Sequence, residues 1–600
     1  MKYQKILGLM ALLQLLGADA INAQIKNEVQ TQGVVFNGSR SFNQIKAFDL
    51  THPESKNKQL PEAESEEDEA RERNRLNNSG SGIGNESYTP TIGLTRQNNL
   101  EVNAPLAPTA VNYCVNFRSL PTDFNSYPPD VHGAVGFDHL VTTLNTQVRI
   151  QTKDSNIIST VSLVSFWSAT GKGDVFDPRI VYDQISERWI TMACASRKSA
   201  GSSILLAASQ TPDPTGVWNF YTIDADPADT LWFDYGNMGF SNDKICISGN
   251  MFNNVDNKPG DGGRMFSINK ANVYSGAALG AITRTRGVRF GTCPAIPFDN
   301  NTTCYAISVW NGGLALLKFY SITGSAGSAT VNDLGLVDYG SGNGWAAGLG
   351  NCLPQSGSAI KVNGGDERIQ SVVSRNGKIF WTNNFYWPLA APTYCGIQYG
   401  SFTTNTKVPL NFAGIWNSTG DEMFSFPNLA VNGSEDVAVA FSYFSKTTFP
   451  SAAVAYGTNN LSLTYSIVKS GEAPYTFGFP NDSTIRYRWG DYMSVSVDPT
   501  DDKGMWSLSQ YARSPGNSNW GCWWAKICPS SCIANFSPGP EFANTVYKYE
   551  VTNTITAAHP VYSGAFIKHD AGVAVIMTPG FQAQAGCNYR AFIEGCGGKQ

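Results

Sequence analysis

Residues 178–195 read PRIVYDQISERWITMACA: an apolar run, a short polar turn and a second apolar run. Two short runs of this kind joined by a polar turn are typical of a β-hairpin. The arrangement recurs about every 60 residues, in seven segments that span 131–145, 178–195, 235–250, 293–310, 369–384, 426–443 and 492–509. A second pair of apolar runs follows several of the copies, so the repeating unit is predicted to contain four strands.

A four-stranded sheet cannot bury both of its own faces, but copies of it do so when they stack around an axis. We therefore predict an all-β fold, a seven-bladed β-propeller over residues 110–530, in which the first strand of each copy lines a central channel. A pair of β-sandwiches is the alternative. It would give similar strand spacing, but it does not predict one motif seven times.

The composition agrees with a sheet protein. Of the 600 residues, 15 % are charged and 12 % are aromatic, and 58 Gly and 30 Pro supply many turns. These values exclude a helical bundle or a coiled coil. The formal net charge of −5 gives no basic excess that could neutralise a phosphate backbone, so nucleic acid is not an expected partner.

The N-terminus has the features of a cleaved secretory signal. Lys2 and Lys5 precede the apolar run ILGLMALLQLLGA (6–18), and small residues follow it. The run is shorter than the ~20 apolar residues of a membrane span. We expect residues 1–23 to be a signal peptide, the mature protein to be secreted or held at the cell surface, and no segment to span the membrane.

Two further regions flank the predicted propeller. Residues 24–109 form an N-terminal extension that includes a highly charged linker at 51–80, to which we assign no binding role. Residues 546–600 alternate apolar and polar residues in very short runs with glycines between them. This pattern predicts a small C-terminal stack of β-hairpins.

Export makes the 12 cysteines candidates for disulfide bonds, because oxidising compartments preserve them. Cys293 and Cys304 flank a turn-rich segment and are placed to close a hairpin. The other candidates lie towards the C-terminus: Cys522, Cys528, Cys532, Cys587 and Cys596. The sequence has no Cys-x-x-Cys pair and no zinc-finger histidine spacing, so we predict no metal or other cofactor. Calcium is the alternative left open, because turns such as DPTDDKG (498–504) offer carboxylates, although not with the spacing of a dedicated calcium loop.

Propellers bind ligands where the first strands converge on one face of the channel. The entries to these strands carry acids and arginines, and the candidate ligand-binding residues are Asp130, Asp177, Arg179, Asp234, Asp366, Arg368, Arg488 and Asp491. Arg offers a bidentate fork to a carboxylate and Asp accepts from hydroxyl groups, which favours a sugar or an acidic ligand. The alternative is that each Asp caps its own strand and pairs with the neighbouring blade.

Tryptophans are open to a similar pair of interpretations. They could stack on sugar rings, or they could pack between adjacent blades as large aromatics commonly do. The candidates are Trp232, Trp310, Trp381, Trp489, Trp506, Trp520, Trp523 and Trp524.

Three segments occur in order along the chain: PPDVHGAVGFDHLV (128–141), WFDYGNMGFSNDKICISGNMF (232–252) and RWGDYMSVSVDPTDDKGMWS (488–507). Together they resemble a family of large secreted bacterial β-propellers, described as exported or sialidase-like propeller proteins. The tail AGVAVIMTPGFQAQAGCNYRAFIEGC (571–596) is similar to a small stacked-hairpin domain of exported proteins in the Bacteroidetes, although Cys587 stands where Ser is commoner. The resemblance implies an extracellular or cell-surface protein of such a bacterium.

We expect a non-catalytic propeller that binds a glycan or an extracellular or surface protein through one face of the channel. The alternative is an extracellular, sialidase-like glycoside hydrolase that uses carboxylates and arginines at the channel mouth. Arg179, Arg368 and Arg488 suit that enzyme, but the Arg-Ile-Pro start and the Ser-x-Asp-x-Gly-x-Thr-Trp repeat expected of sialidases are absent. An enzyme requires an open cleft with a carboxyl pair, whereas a scaffold has a plugged mouth whose acids are already hydrogen-bonded.

Overall fold

The computed structural model describes residues 25–53, 100–101, 111, 113–122, 127–458, 463–481, 484–516, 519–527, 535–539 and 546–593. The structure is all-β, with 55 % strand and 7 % helix. The predicted signal peptide and nearly all of the predicted charged linker lie outside the described residues. Within them, no helix is long and apolar enough to cross a membrane.

The N-terminal region contributes four strands and a helix that attach to the propeller. They are β1 (Lys26–Gln30), β2 (Val34–Ser41), α1 (Phe42–Thr51), β3 (Leu100–Glu101) and β4 (Tyr113–Pro121). Strand β1 extends the outer edge of blade 3, β2 extends that of blade 2, and β3 pairs in parallel with the outer strand of blade 5. Helix α1 begins at a capping box in which Ser41 and Gln44 satisfy each other's backbone N–H groups.

Seven sheets, built mainly of antiparallel strands, form the blades, which confirms the predicted seven-bladed propeller. Blade 1 contains β5 (His132–Val135), β6 (His139–Thr143), β7 (Gln147–Thr152) and β8 (Ile157–Ser162). Blade 2 contains β9 (Val175–Asp183), β10 (Arg188–Ala195), β11 (Ser203–Ser209) and β12 (Val217–Asp224). Blade 3 contains β13 (Leu231–Phe240), β14 (Lys244–Asn253), β15 (Pro259–Asn269) and β16 (Ile282–Val288). Each of the seven hairpin segments of the sequence supplies the first two strands of one blade.

The remaining blades follow the same order. Blade 4 contains β17 (Cys293–Pro294), β19 (Cys304–Asn311), β20 (Leu316–Thr323) and β21 (Thr330–Asp338), while β18 (Ile296–Pro297) pairs with blade 5. Blade 5 contains β24 (Ile369–Arg375), β25 (Lys378–Trp387), β26 (Tyr394–Thr403) and β27 (Pro409–Trp416). Blade 6 contains β28 (Glu422–Val431), β29 (Val437–Ser445), β30 (Ser451–Gly457) and β31 (Thr464–Lys469). Blade 7 contains β34 (Ser494–Val497), β35 (Met505–Ala512) and β36 (Trp520–Ile527).

Short elements fill the connections between strands. Two small hairpins lie between blades, β22 (Asn351–Leu353) with β23 (Val362–Asn363) and β32 (Phe479–Asn481) with β33 (Thr484–Arg486). The short helices are α2 (Leu163–Phe166), α3 (Lys270–Ser275) and single 3-10 turns at Ser168–Thr170, Gly312–Leu314, Ala326–Ser328 and Ser341–Asn343.

The ring is closed by the beginning of the chain. Blade 7 has three strands of its own, and β4 pairs antiparallel with β36 as the fourth, with Phe117 opposite Trp524. Trp524 also packs across the seam: a Cβ added at Gly133 of blade 1 would lie 2.8 Å from its ring. Backbone hydrogen bonds and apolar packing therefore join the last blade to the first.

The C-terminal region is a coil of parallel strands, so the predicted stack of hairpins is wrong. Its strands are β37 (Asn535–Phe536), β38 (Val546–Val551), β39 (Thr554–Ala557), β40 (Pro560–Val561), β41 (Phe566–Ala571), β42 (Ala574–Met577), β43 (Gln582–Ala583) and β44 (Asn588–Phe592). All of their pairings are parallel, and Val546 lies beside Phe566, which lies beside Asn588. Short alternating runs with glycine corners suit either fold; here the corner Gly572 approaches the preceding coil so closely that an added Cβ would lie 2.1 Å from the Thr552 carbonyl oxygen.

This parallel coil rests on the propeller face that carries the turns between the first and second strands, which we call the turn face. Lys568 is fully buried there, donates to the Pro499 carbonyl at 2.9 Å and lies over the Phe137 ring. Arg590 forms a salt bridge with Glu187, and Phe592 stacks on Phe137. The coil therefore covers the turns of blades 7, 1 and 2. The opposite face, where the chain enters each first strand, is the entry face.

The cysteine pairing predicted within blade 4 is also wrong. Cys293 and Cys304 are both free, because Cys293 packs in the channel-side core while Cys304 lies opposite Ile322 and contacts Cys246 of blade 3. Cys522 and Cys587 are free as well, whereas Cys114, which the sequence analysis did not single out, is disulfide-bonded. The candidates Cys528, Cys532 and Cys596 lie outside the described residues.

Candidate functional site

Seven of the eight predicted ligand-binding side chains come together at the entry face. They belong to blades that are far apart in sequence, and none is more than 9 % exposed: Asp130, Asp177, Arg179, Asp366, Arg368, Arg488 and Asp491. The propeller thus gathers these charges around one axis, but it buries them. We call this group the mouth cluster.

Hydrogen bonds around Asp130 and Asn145 link three blades. Asn145 donates to Asp130 at 2.5 Å and accepts from the backbone N–H of Asp177 at 2.8 Å. The backbone N–H of Asp491 donates to the other Asp130 oxygen at 2.9 Å. Asp130 and Asp177 themselves have φ angles of 48° and 50°. This strained, hydrogen-bonded backbone is a link between blades 7, 1 and 2.

Two of the three arginines are already paired. Arg368 donates to both carboxylate oxygens of Asp366, through Nε at 2.9 Å and Nη2 at 2.6 Å. Arg488 donates to Asp491 at 2.7 Å. The bidentate fork that the sequence analysis offered to a ligand is in these cases used within the protein.

Two tyrosines at the centre of the cluster were missed by the sequence analysis. The guanidinium carbon of Arg368 lies 3.9 Å from the Tyr235 ring centroid, and that of Arg179 lies 3.8 Å from the Tyr492 centroid. Burial raises the pKa of both hydroxyls, and each donates a hydrogen bond, Tyr235 to Gln370 and Tyr492 to the Pro178 carbonyl. The sequence did carry a signal, because both tyrosines directly follow an aspartate, Asp234 in the first strand of blade 3 and Asp491 before the first strand of blade 7.

Asp234 does not join the mouth cluster. It lies opposite Asn250 on the neighbouring strand and is only partly buried. The pairing of β13 with β14 shifts register between Asp234 and Asn237, and Tyr235 takes a φ of 51°. This bulge turns Tyr235, instead of the preceding acid, into the cluster.

Below the mouth cluster, the first strands enclose a cavity that extends to the turn face, where Gln184, Phe298 and Pro499 line it. The cavity volume is about 90 Å³. Its inner end is a ring of mostly polar side chains, one from each blade: His132, Arg179, Asn237, Cys293, Gln370, Asn428 and Ser494. We call this the polar ring. Between the ring and the turn face the walls are largely apolar.

His132 of the polar ring is neutral at physiological pH. Burial, together with the charge of Arg179, lowers the pKa of His132 to about 3. Its Nδ1 accepts from the backbone N–H of Ile180 at 3.3 Å. The proton of the neutral imidazole is therefore assigned to Nε2, which makes the free side of the ring a donor.

The tryptophans offered for sugar stacking are mainly packing residues. Six are buried between or within blades: Trp232, Trp381, Trp489, Trp506, Trp520 and Trp524. Trp310 is half-buried beneath Arg289 and Lys318, and Trp523 beneath Lys469. Among the described residues, no group of three or more His, Cys, Asp or Glu is arranged to hold a metal ion.

Comparison with known proteins adds little to this geometry. No family model matches the sequence, and no curated protein matches it. Similar solved structures include the β-propeller domain of the Trilobed protease from Pyrococcus furiosus (TM-score 0.33, 8 % identity, 68 % of this chain and 94 % of that chain) and a hypothetical selenium-binding protein from Sulfolobus tokodaii (0.35, 8 %, 62 % and 88 %). A Trypanosoma rangeli sialidase in complex with the inhibitor DANA is also similar (0.31, 10 %, 68 % and 59 %). At these scores we draw no functional argument from them.

Proposed function

We propose that this protein is an exported or cell-surface binding scaffold that performs no chemistry and takes a glycan at its turn face. The observation that supports it is a set of exposed amide and hydroxyl side chains on the turn face, which stand beside the acids Asp243, Asp299 and Glu435. These amide and hydroxyl residues, which we call the rim, lie on the turns of blades 3 to 6, which the parallel coil leaves uncovered: Asn242, Asn301, Thr302, Asn376 and Ser434.

Amide and hydroxyl groups match the chemistry of a sugar, because each both donates and accepts hydrogen bonds. The rim is continuous between blades, since the backbone N–H of Asn242 donates to the Asn301 carbonyl at 2.7 Å. Asn376 is further held by Glu435, to which its amide donates at 3.0 Å. A partly preorganised rim of this kind supports binding of a hydroxyl-rich ligand.

The mouth cluster supports binding over hydrolysis. Glycoside hydrolysis requires two carboxyl groups that flank the sugar about 5 to 9 Å apart, or a tyrosine nucleophile with an acid. Here Asp366 and Asp491 are paired with arginines, and the Tyr235 hydroxyl donates to Gln370. A substrate reaching these groups would first have to break their existing contacts.

The proposal is tested by a glycan array with the purified mature protein, followed by titration calorimetry on any hit. We expect Asn301→Ala and Asn376→Ala to weaken binding roughly two- to tenfold each, since each removes a neutral hydrogen bond to the ligand. Asn405→Ala is the matched control, because this exposed amide lies in the outer turn between the third and fourth strands of blade 5. Absence of any hit, binding only to proteins, or equal loss in the control variant would each refute the proposal.

A further inference from the structure

Arg179 is buried and charged, and it forms no salt bridge with a carboxylate of the described residues. Its side chain is 4 % exposed, yet it forms no salt bridge with any described acid, in contrast to Arg368 and Arg488. Its Nε donates to the Gly236 carbonyl at 2.6 Å, and its plane covers the Tyr492 ring. A buried guanidinium without a counter-ion is costly, because it has lost its hydration.

The same end of the cavity keeps other donors unused. Nη2 of Arg179, Nδ2 of Asn237 and Oγ of Ser494 are buried, and none has a hydrogen-bond partner among the described residues. All three residues line the cavity. They stand on blades 2, 3 and 7, so they form one arc of the polar ring with His132 of blade 1 between them.

The acceptors of the polar ring, by contrast, are taken by the protein. Oε1 of Gln370 accepts from Tyr235, Oδ1 of Asn428 accepts from the backbone N–H of Val495, and Nδ1 of His132 accepts from Ile180. What these groups still offer to the cavity is N–H. These donors, together with the positive charge of Arg179, favour an anion over a cation.

We propose that the inner end of the channel binds a small monovalent anion, held by Arg179, Asn237 and Ser494. Asp366 and Asp491 are matched by arginines, and Asp130 accepts hydrogen bonds from Asn145 and the Asp491 backbone. Arg179 is the one guanidinium of the mouth cluster that forms no salt bridge with a described acid, although Asp177 acts on it electrostatically. The cavity volume of about 90 Å³ exceeds the ~10–15 Å³ needed for one water, so it leaves room for a halide or a small carboxylate. The site does not depend on the proposed glycan rim.

The direct test is anomalous diffraction from crystals of the mature protein grown in sodium bromide, with formate-grown crystals as the second arm. We expect one bromide peak, and formate density, within hydrogen-bond distance of Arg179 Nη2. Waters only at the polar ring in both crystals, or bromide bound only at the protein surface as an adventitious ion, would overturn the proposal. Bromide without formate would restrict it to halides, and formate without bromide to carboxylates.

The solution test compares bromide- and formate-dependent thermal stabilisation in variants at constant ionic strength. Arg179→Gln should abolish the anion-dependent rise in Tm, and Ser494→Ala should weaken the anion affinity roughly tenfold, as expected for one hydrogen bond to a charged ligand. Ser371→Ala is the matched control, because its hydroxyl also lines the cavity but already donates to the Leu429 carbonyl. If Arg179→Gln does not fold, Asn237→Ala replaces it. Equal responses in wild type and variants, or an equal loss in Ser371→Ala, would refute the site.

Discussion

Arg368 of blade 5 lies flat on the ring of Tyr235 of blade 3, with its guanidinium carbon 3.9 Å from the ring centroid. Blade 4 lies between these two blades in the ring, so this contact joins blades that are not neighbours. Arg179 of blade 2 and Tyr492 of blade 7 make a second such contact. Two cation–π pairs therefore close the entry face, and the arginine of one of them, Arg368, is also paired with Asp366.

Removing Arg368 should destabilise the propeller. Arg368→Ala would leave Asp366 buried without its partner, and such a loss typically costs about 3–5 kcal/mol. We expect a lower midpoint in urea unfolding. The double variant Asp366→Asn with Arg368→Gln serves as the control, since it removes both charges and should recover part of the loss. An unchanged midpoint for Arg368→Ala would show that the pair contributes nothing to stability.

His132 should make stability depend on pH. Its folded-state pKa of about 3 lies below the unfolded value near 6.5, so as pH falls below 6.5 the unfolded chain takes up a proton that the folded protein does not. Stability should therefore fall between pH 6.5 and pH 3, by up to ~1.4 kcal/mol per pH unit from this group. Urea unfolding across this range should show a shallower slope for His132→Asn. Parallel slopes for the two proteins would contradict the prediction.

Strand β4 should be required for a closed ring. Deleting residues 113–121 would expose the unpaired edge of β36, and open strand edges associate with other chains. We expect this variant to form oligomers or aggregates in size-exclusion chromatography with light scattering. Deleting residues 25–53 is the control, because β1 and β2 only extend blades that already have four strands. A monomeric variant without β4 would argue against closure by this strand.

The parallel coil should tolerate no side chain at Gly572. Gly572→Ala would place a Cβ 2.1 Å from the Thr552 carbonyl oxygen, so the coils must separate. We expect limited proteolysis to cut the C-terminal region of this variant while the propeller stays intact. Gly539→Ala is the matched control, since nothing lies within 4 Å of a Cβ added there. Equal protease resistance in the two variants would show that the close approach is relieved without loss of order.

The propeller was predictable because its repeat is local. A hairpin such as residues 178–195 contains its own turn and its own alternation, and seven copies leave few alternatives. The mouth cluster was only partly predictable. Asp366 and Arg368 were indicated by their position before the first strand of blade 5. Their pairing with each other, and the bulge that replaces Asp234 with Tyr235, depend on backbone register, which a pattern of residue types does not contain.

The prediction of hairpins in the C-terminal region was wrong for a related reason. Alternation and glycine corners describe how a strand faces its core, whereas the direction of its neighbour depends on contacts between residues about 20 positions apart. Cys304 illustrates the same limit. Its nearness to Cys293 along the chain predicted a bond, but strand pairing places it against Cys246 of another blade.

The pairing of Phe117 with Trp524 also leads us to expect that the ring closes late in folding. The N-terminal partner is synthesised early and the other only after all the other blades, so this strand must wait for almost the whole propeller before it finds its place. Contacts of such long sequence separation slow folding. We therefore expect the pairing of β4 with β36 to be the last step in folding of the propeller. A chain that terminates before residue 520 lacks β36, so β4 has no strand to pair with.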